Sequence, residues 1–123
     1  MRSVEEKIRR RERRKKGIRK KIYGTSDRPR LCVYKSNRYI YAQIIDDTKG
    51  ITLLSLSSLI YKKDKQDKSN YKSMEIARRL GEDLGKLAIQ KGIKKAVFDR
   101  SGYPYHGRIK ALADGVRKQG VEF

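Results

Sequence analysis

Residues 1–21 carry twelve Lys or Arg (Arg2, Lys7, Arg9, Arg10, Arg11, Arg13, Arg14, Lys15, Lys16, Arg19, Lys20 and Lys21) against three Glu, a local charge of +9. Such a segment contributes almost nothing to a hydrophobic core, so a folded domain has to be built from the residues C-terminal to it. The residue types favour helix. Only Val4, Ile8, Ile18 and Ile22 offer an apolar stripe, however, and like charges at i, i+4 oppose an isolated helix. The arm, residues 1–27, is therefore expected to be flexible and disordered alone, and to fold on a polyanion. The punctuation Gly24-Thr-Ser-Asp-Arg-Pro29 closes it, leaving residues 28–123 as one globular domain.

Charge narrows the partner class. Across 123 residues, 33 Lys and Arg face 14 Asp and Glu, a net +19. A chain with that excess repels itself until a polyanion neutralises it, which points first to nucleic acid and second to an anionic membrane surface. No apolar run approaches the roughly twenty residues that span a bilayer. No apolar stretch comes after the N-terminal basic residues, so a secretory signal is not expected. Glu5, Glu6 and Glu12, with little Ser, argue against an organellar transit peptide. Cys32 is the single cysteine, which leaves no intramolecular disulfide and no cysteine-based metal cluster. A reducing, cytoplasmic setting is the expectation.

Past the arm the pattern turns to strands. Leu31–Tyr34, Tyr39–Ile45 and Ile51–Leu56 are short, rich in β-branched and aromatic residues, and separated by turns at 35–38 and 46–50. They predict an antiparallel meander. Residues 61–72 are polar and without period, hence a loop. A helix is predicted from Ser73 to Gln90, with Ile76, Leu80, Leu84, Leu87 and Ala88 on one stripe and Gly92 as its stop. Lys95–Asp99 reads as a short strand. A Gly-rich loop from Arg100 to Arg108 leads to a last helix with Ile109, Leu112, Ala113 and Val116 inward, ended by Gly120. The order βββ-α-β-α implies an α/β fold, a mixed sheet of about four strands covered by two helices, with a basic arm in front.

Three regions suit RNA chemistry. In the arm, Arg9, Arg10, Arg11, Arg13, Arg14, Lys15, Lys16, Arg19, Lys20 and Lys21 are candidates for phosphate neutralisation; the bland alternative is a solvated tail. In the first hairpin, alternation puts Arg30, Cys32 and Tyr34 opposite Leu31 and Val33, and Tyr39, Tyr41 and Gln43 opposite Ile40, Ala42 and Ile44. Arg and Tyr interleaved on one sheet face suit unpaired bases and phosphates, which adds Arg28, Arg30, Tyr34, Tyr39 and Tyr41 as candidates. The alternative is that these tyrosines pack across strands or under the arm. Lys35, Ser36 and Arg38, at the turn, are candidates for backbone contacts.

The third region, Phe98-Asp-Arg-Ser-Gly-Tyr-Pro-Tyr-His-Gly-Arg108, holds the only His. Asp99, Ser101 and His106 invite a triad reading, but three such residues in one short loop beside two cations suit holding an anion better than activating a hydroxyl. Arg100, Ser101, Tyr105, His106, Gly107 and Arg108 are read as a nest of N–H groups and basic side chains at a helix N-terminus. Asp99 is expected to pair with Arg100 or Arg108. Asp46 and Asp47 are read as solvated turn residues, and Cys32 as half-buried. No Walker-type, zinc-ligand or dinucleotide spacing is present; no cofactor, metal or small-molecule substrate is expected.

The Arg-rich arm, Arg28-Pro-Arg-Leu31, Arg38-Tyr-Ile-Tyr-Ala-Gln43, the 98–108 segment, Ala111-Leu-Ala-Asp114 and the close Gly120-Val-Glu-Phe123 together resemble the bacterial large-subunit ribosomal protein L-eighteen family along the whole length. The resemblance implies a ribonuclease-H-like strand order and a non-enzymatic, scaffolding role. It also implies docking on 5S ribosomal RNA in the central protuberance, beside 23S ribosomal RNA and other 5S-binding proteins, with a monomer off the ribosome and no membrane partner. By that analogy the contacts come from the arm, the first hairpin and the Asp99–Arg108 loop. The lysine-rich segment 61–72 has no clear place on the family pattern. Nucleases of that strand order gather carboxylates around divalent metal, one of them on the first strand. Leu31–Lys35 has none, and Asp99 alone lies near a strand end.

Overall fold

The computed structural model describes residues 3–19, 22–63, 71 and 73–123. Seven elements carry the fold: α1 (Val4–Arg19), β1 (Arg30–Lys35), β2 (Ile40–Asp46), β3 (Ile51–Ser57), α2 (Met74–Gln90), β4 (Val97–Asp99) and α3 (Gly107–Lys118), with a short 3-10 helix at Ser58–Tyr61. The sheet order is β3-β2-β1-β4. β1, β2 and β3 form the antiparallel meander, while β4 returns parallel to β1 after the α2 crossover. This is the α/β architecture expected, with the central strand first in the chain.

Strand alternation assigns the two faces. Leu31 and Val33 from β1 and Ile40, Ala42 and Ile44 from β2 are buried against the two helices. α2 brings Ala77, Leu80, Leu84 and Ala88 to that face, and α3 brings Ile109, Leu112 and Val116. Burying each large aliphatic side chain contributes about 1.5–3 kcal/mol. The helical stripe differs from the predicted one: Leu87 is largely exposed, and the inward positions include Gly81 and Gly85. The reason is the approach of α3. A Cβ on Gly81 would lie 2.1 Å from the Leu112 carbonyl oxygen, and one on Gly115 would lie 2.4 Å from that of Arg78. The helices touch backbone to backbone, which rotates α2 toward its glycines.

Caps fix the element ends. The Ile76 N–H donates to Ser73 Oγ at the start of α2. At its end the Ile93 N–H donates to the Ala88 carbonyl, and Gly92 takes φ +84°. Ser3 Oγ accepts from the Glu6 N–H at the start of α1, where Glu5 and Glu6 interact favourably with the positive end of the helix dipole. Beyond the core, β4 is shorter than predicted. Lys95 pairs instead with Glu122 of the C-terminal segment. Within the predicted loop 61–72, Tyr61 ends the 3-10 helix and donates to Asp83, and buried Tyr71 bridges to Tyr39; residues 64–70 and 72 lie outside the described residues. Among the described residues no helix is long and apolar enough to cross a membrane.

Candidate nucleic-acid interface

The sheet face turned away from α2 and α3 presents Arg30, Cys32 and Tyr34 beside Ile45, Gln43 and Tyr41, residue for residue across the ladder. α1 lies over this face. Between them runs a groove of about 720 Å³, lined by Arg11, Glu12 and Lys15 from the helix, Cys32, Tyr34, Ser36, Tyr41 and Gln43 from the hairpin, and Ser101 and Tyr103 from the loop after β4. The three regions singled out in the sequence thus enclose one space. Tyr34 is the most open of its rings, 53% exposed, and lies tilted against Tyr41 at 5.8 Å.

Tyr103 joins the three parts. Its hydroxyl accepts from Arg11 (3.1 Å) and from the Lys35 N–H (3.1 Å), and its buried ring is flanked by the Arg11 guanidinium and the Lys35 ammonium, 5.0 and 4.8 Å from the centroid. Arg14 Nε donates to the Gly102 carbonyl at 2.8 Å. Gly102 has φ +80°, and a Cβ there would meet the Arg11 carbonyl oxygen at 2.6 Å, so only glycine lets the helix backbone sit on the loop. Ser101 also adopts positive φ, +54°, stabilised by its N–H donating to Asp99 Oδ1.

Beneath the groove an ion-pair network sets the loop. Arg30 donates Nε and Nη2 to Asp47 (2.9 and 3.1 Å) and Nη1 to Asp99 (2.9 Å). Burial opposes the charge on Arg30, but the Asp47 carboxylate outweighs it with help from Cys32 and Asp99, and the pKa is raised. Asp47 also accepts from the Gly24 N–H at 2.7 Å, anchoring the chain where the arm joins the domain. Neighbouring Asp46 is buried; it accepts from the Thr48 hydroxyl and N–H and from Ser26. The Thr48 hydroxyl above all lowers its pKa, so Asp46 supplies stability at neutral pH that is lost as pH falls through the lowered value. Among the described residues no group of three or more His, Cys, Asp or Glu is arranged to hold a metal ion.

The profile of a protein family described as Ribosomal L18 of archaea, bacteria, mitochondria and chloroplast matches residues 5–123. The chain belongs to this family. Relatives named "Large ribosomal subunit protein uL18" include one from Thermotoga neapolitana, 56% identical over 114 residues and covering 93% of each chain. Another, from Dictyoglomus thermophilum, is 63% identical over 106 residues and 86% of each chain. A third, from Brachyspira hyodysenteriae, is 52% identical over 121 residues and 98% of each chain. Family membership thus extends over arm and domain together.

Within this ribosomal-protein framework the candidate residues fall into distinct settings. Arg9, Arg10, Arg13 and Lys16 are exposed on α1 and form no side-chain hydrogen bond or ion pair among the described residues; Lys15 faces the groove. Lys20, Lys21 and the Arg19 side chain lie outside the described residues. Arg28 and Arg38 are exposed in turns, and Ser36 exchanges hydrogen bonds with Tyr39 across the hairpin turn. Tyr39 stacks on Tyr71, 6.2 Å between centroids, and Tyr105 packs edge-on to Phe98 while accepting from Arg117. Arg100 donates to the Tyr103 carbonyl. His106 occupies the N-cap position of α3 with no side-chain cap bond, and Gly107 comes next with φ +58°. The side chain of Arg108, a half-buried residue, forms no hydrogen bond or ion pair among the described residues.

Two expectations about acids are corrected. Asp99 pairs with Arg30 across β1 and β4, not with Arg100 or Arg108, because the parallel register sets Asp99 beside Cys32 on the same face. Asp46 and Asp47 are not solvated turn residues: one is buried in a hydroxyl cage and the other clamps Arg30. Sequence reasoning also missed Gly102 and Tyr103 as the joint of the site. Their adjacency in the Ser-Gly-Tyr-Pro segment was the available signal, but nothing local tells that an arm ninety residues earlier docks there.

Proposed function

We propose that this chain is a structural constituent of the bacterial large ribosomal subunit, working in the cytoplasm, that binds 5S ribosomal RNA and helps attach it to 23S ribosomal RNA in the central protuberance. One observation carries the reading: the cationic helix α1, the Arg/Tyr sheet face and the 99–108 loop converge on one groove through Tyr103. Lys15 lines its rim, Arg9, Arg10, Arg13 and Lys16 are exposed elsewhere on the same helix, and the rings of Tyr34, Tyr41 and Tyr103 line the groove. That combination suits RNA, where phosphate contacts position and stacked bases specify. A generic duplex-DNA binder has use for the cations but not for rings on an open sheet face.

The proposed division of labour rests on the contacts. α1 is held by polar contacts from Arg11 and Arg14, while Val4 and Ile8 are exposed. In our reading the arm is flexible in the free protein and settles into grooves between phosphates on RNA. The domain of residues 28–123 supplies the shaped part: Tyr34 and Tyr41 as stacking faces, Lys35, Ser36 and Arg38 at the hairpin tip, and Arg108 with the α3 N-terminus toward phosphate. Arg30 acts by fixing Asp47 and Asp99, a positioning role. Other 5S-binding ribosomal proteins are the expected neighbours, and no step of catalysis is assigned.

Competitive binding to 5S ribosomal RNA, transfer RNA and generic duplex DNA across a salt series tests the proposal. A preference for 5S ribosomal RNA that persists at high salt is expected from a shaped site. Equal binding to all three, vanishing together with salt, would reduce the protein to a polycation and sink the specific assignment.

A further inference from the structure

A second basic concavity lies at the other end of the sheet. It has a volume of about 630 Å³ and is lined by Lys49, Lys91, Lys94 and Lys95, with Asp27 and Asp46 as its acids. Topology separates it from the first groove. Lys49 sits in the β2–β3 turn whereas Lys35 ends β1 at the opposite hairpin turn; Lys95 precedes β4 whereas Arg100 comes after it. The two concavities share no lining residue.

The charge in this pocket is only partly compensated, four lysines against two aspartates. Lys91 Nζ donates to the Leu53 carbonyl at 2.8 Å, but Lys49, Lys94 and Lys95 are exposed and their side chains form no hydrogen bond or ion pair among the described residues. Asp46 is turned inward, its two oxygens occupied by Thr48 and Ser26. Lysines at the α2 C-terminus favour the helix dipole, which accounts for Lys91. It does not account for Lys49, which belongs to a strand turn and converges on the same space. Four ammonium groups face two carboxylates here, Asp27 and the inward-turned Asp46, and the excess of positive charge favours an anion joining them.

We infer that this pocket grips the phosphate backbone of a second RNA segment, so that the protein joins two RNA elements from opposite ends of its sheet. The inference rests on the RNA-binding reading above and assigns residues to its second partner. Among the described residues no aromatic ring lines this pocket, in contrast with Tyr34, Tyr41 and Tyr103 in the first groove. Lysines act as point charges on flexible stems, so the contact reads backbone and not base identity.

The test uses the full chain carrying Lys49→Ala, Lys94→Ala and Lys95→Ala together, with the triple Lys→Arg protein as rescue and thermal melting as the fold control. Binding is measured to 5S ribosomal RNA alone, and to deproteinised 23S ribosomal RNA with the protein both free and preloaded on 5S ribosomal RNA. The alanine protein should bind 23S ribosomal RNA about tenfold more weakly, with a log–log salt slope lower by about two to three. Its affinity for 5S ribosomal RNA should change less than about twofold, and the arginine protein should recover. Unchanged 23S binding would overturn the inference, as would a parent protein that binds 5S ribosomal RNA but recruits no 23S ribosomal RNA. Equal loss of both RNAs would merge the pocket with the first site and overturn it too. A parent that fails on 5S ribosomal RNA, yet loses 23S binding with the three lysines, would sink the function proposed above and leave the pocket standing.

Discussion

Arg100 donates to the Tyr103 carbonyl oxygen, whereas the side chain of Arg108, eight residues on, has no hydrogen-bond or ion-pair partner among the described residues. The two arginines of the loop therefore carry different loads, although sequence alone treats them alike. Arg108→Ala should weaken binding to 5S ribosomal RNA and lower the salt slope by about one, with the melting temperature unchanged. Arg100→Ala should weaken binding as well, but with a drop in melting temperature, because the loop that seats Tyr103 loses a hydrogen bond of about 1 kcal/mol. Filter binding and thermal melting on the same two proteins separate the effects; unchanged affinity in both would remove the loop from the interface. Arg30 marks the same limit of local reading. Its type and strand face suggest an outward phosphate contact, but its side chain is 12% exposed and occupied by Asp47 and Asp99. Which cation faces solvent depends on a carboxylate seventeen or sixty-nine residues away, a fact of register that no short window contains.

Two glycines in helices give opposite expectations. Gly81 lies where α2 crosses α3, and its Cβ would strike the Leu112 carbonyl, a backbone atom that no rotamer change moves. Gly81→Ala gains about 1 kcal/mol of helix propensity. Against that stands a clash at the tight end of overpacking, which costs about 1–3 kcal/mol and requires the helices to separate. The net should be a melting temperature lower by several degrees. Gly17, in α1, has nothing within 4 Å of its Cβ position. Gly17→Ala should raise the helicity of the arm in far-ultraviolet circular dichroism and leave the core transition in place. A stable Gly81→Ala protein would mean that the two helices are less tightly apposed than described. The elements themselves were readable because period and punctuation agree: alternation gave the hairpin faces, Ser73 and Gly92 bracketed α2, and Gly120 ended α3. The face of α2 was misjudged at Leu87 because a glycine carries no hydrophobic signal even where it makes the closest contact in the core. The groove was legible only as three separate regions; their convergence depends on Gly102 accepting the arm, a tertiary fact.

For the whole molecule, the distribution of charge decides how affinity and selectivity divide. Residues 1–21 hold +9 of a net +19, and the exposed Arg9, Arg10, Arg13 and Lys16 among them are free to meet phosphates, while Arg11 and Arg14 tie the helix to the loop. The hairpin and loop keep their shape through Arg30, Asp47 and Asp99, none of which belongs to the arm. Removing residues 1–21 should therefore act mainly on the electrostatic term. If half of the twelve cations engage RNA, the log–log salt slope should fall by about 4–5, with the largest loss of affinity at low salt. The ranking of 5S ribosomal RNA over transfer RNA should survive, because the remaining rings and turn contacts still read shape. Equilibrium binding of the truncated and full-length chains, each at four or more salt concentrations and on both RNAs, decides the matter. A truncated chain that melts normally yet no longer distinguishes the two RNAs would place recognition in α1 itself. In that case Tyr103 would serve to present the helix, and the sheet face would be its support.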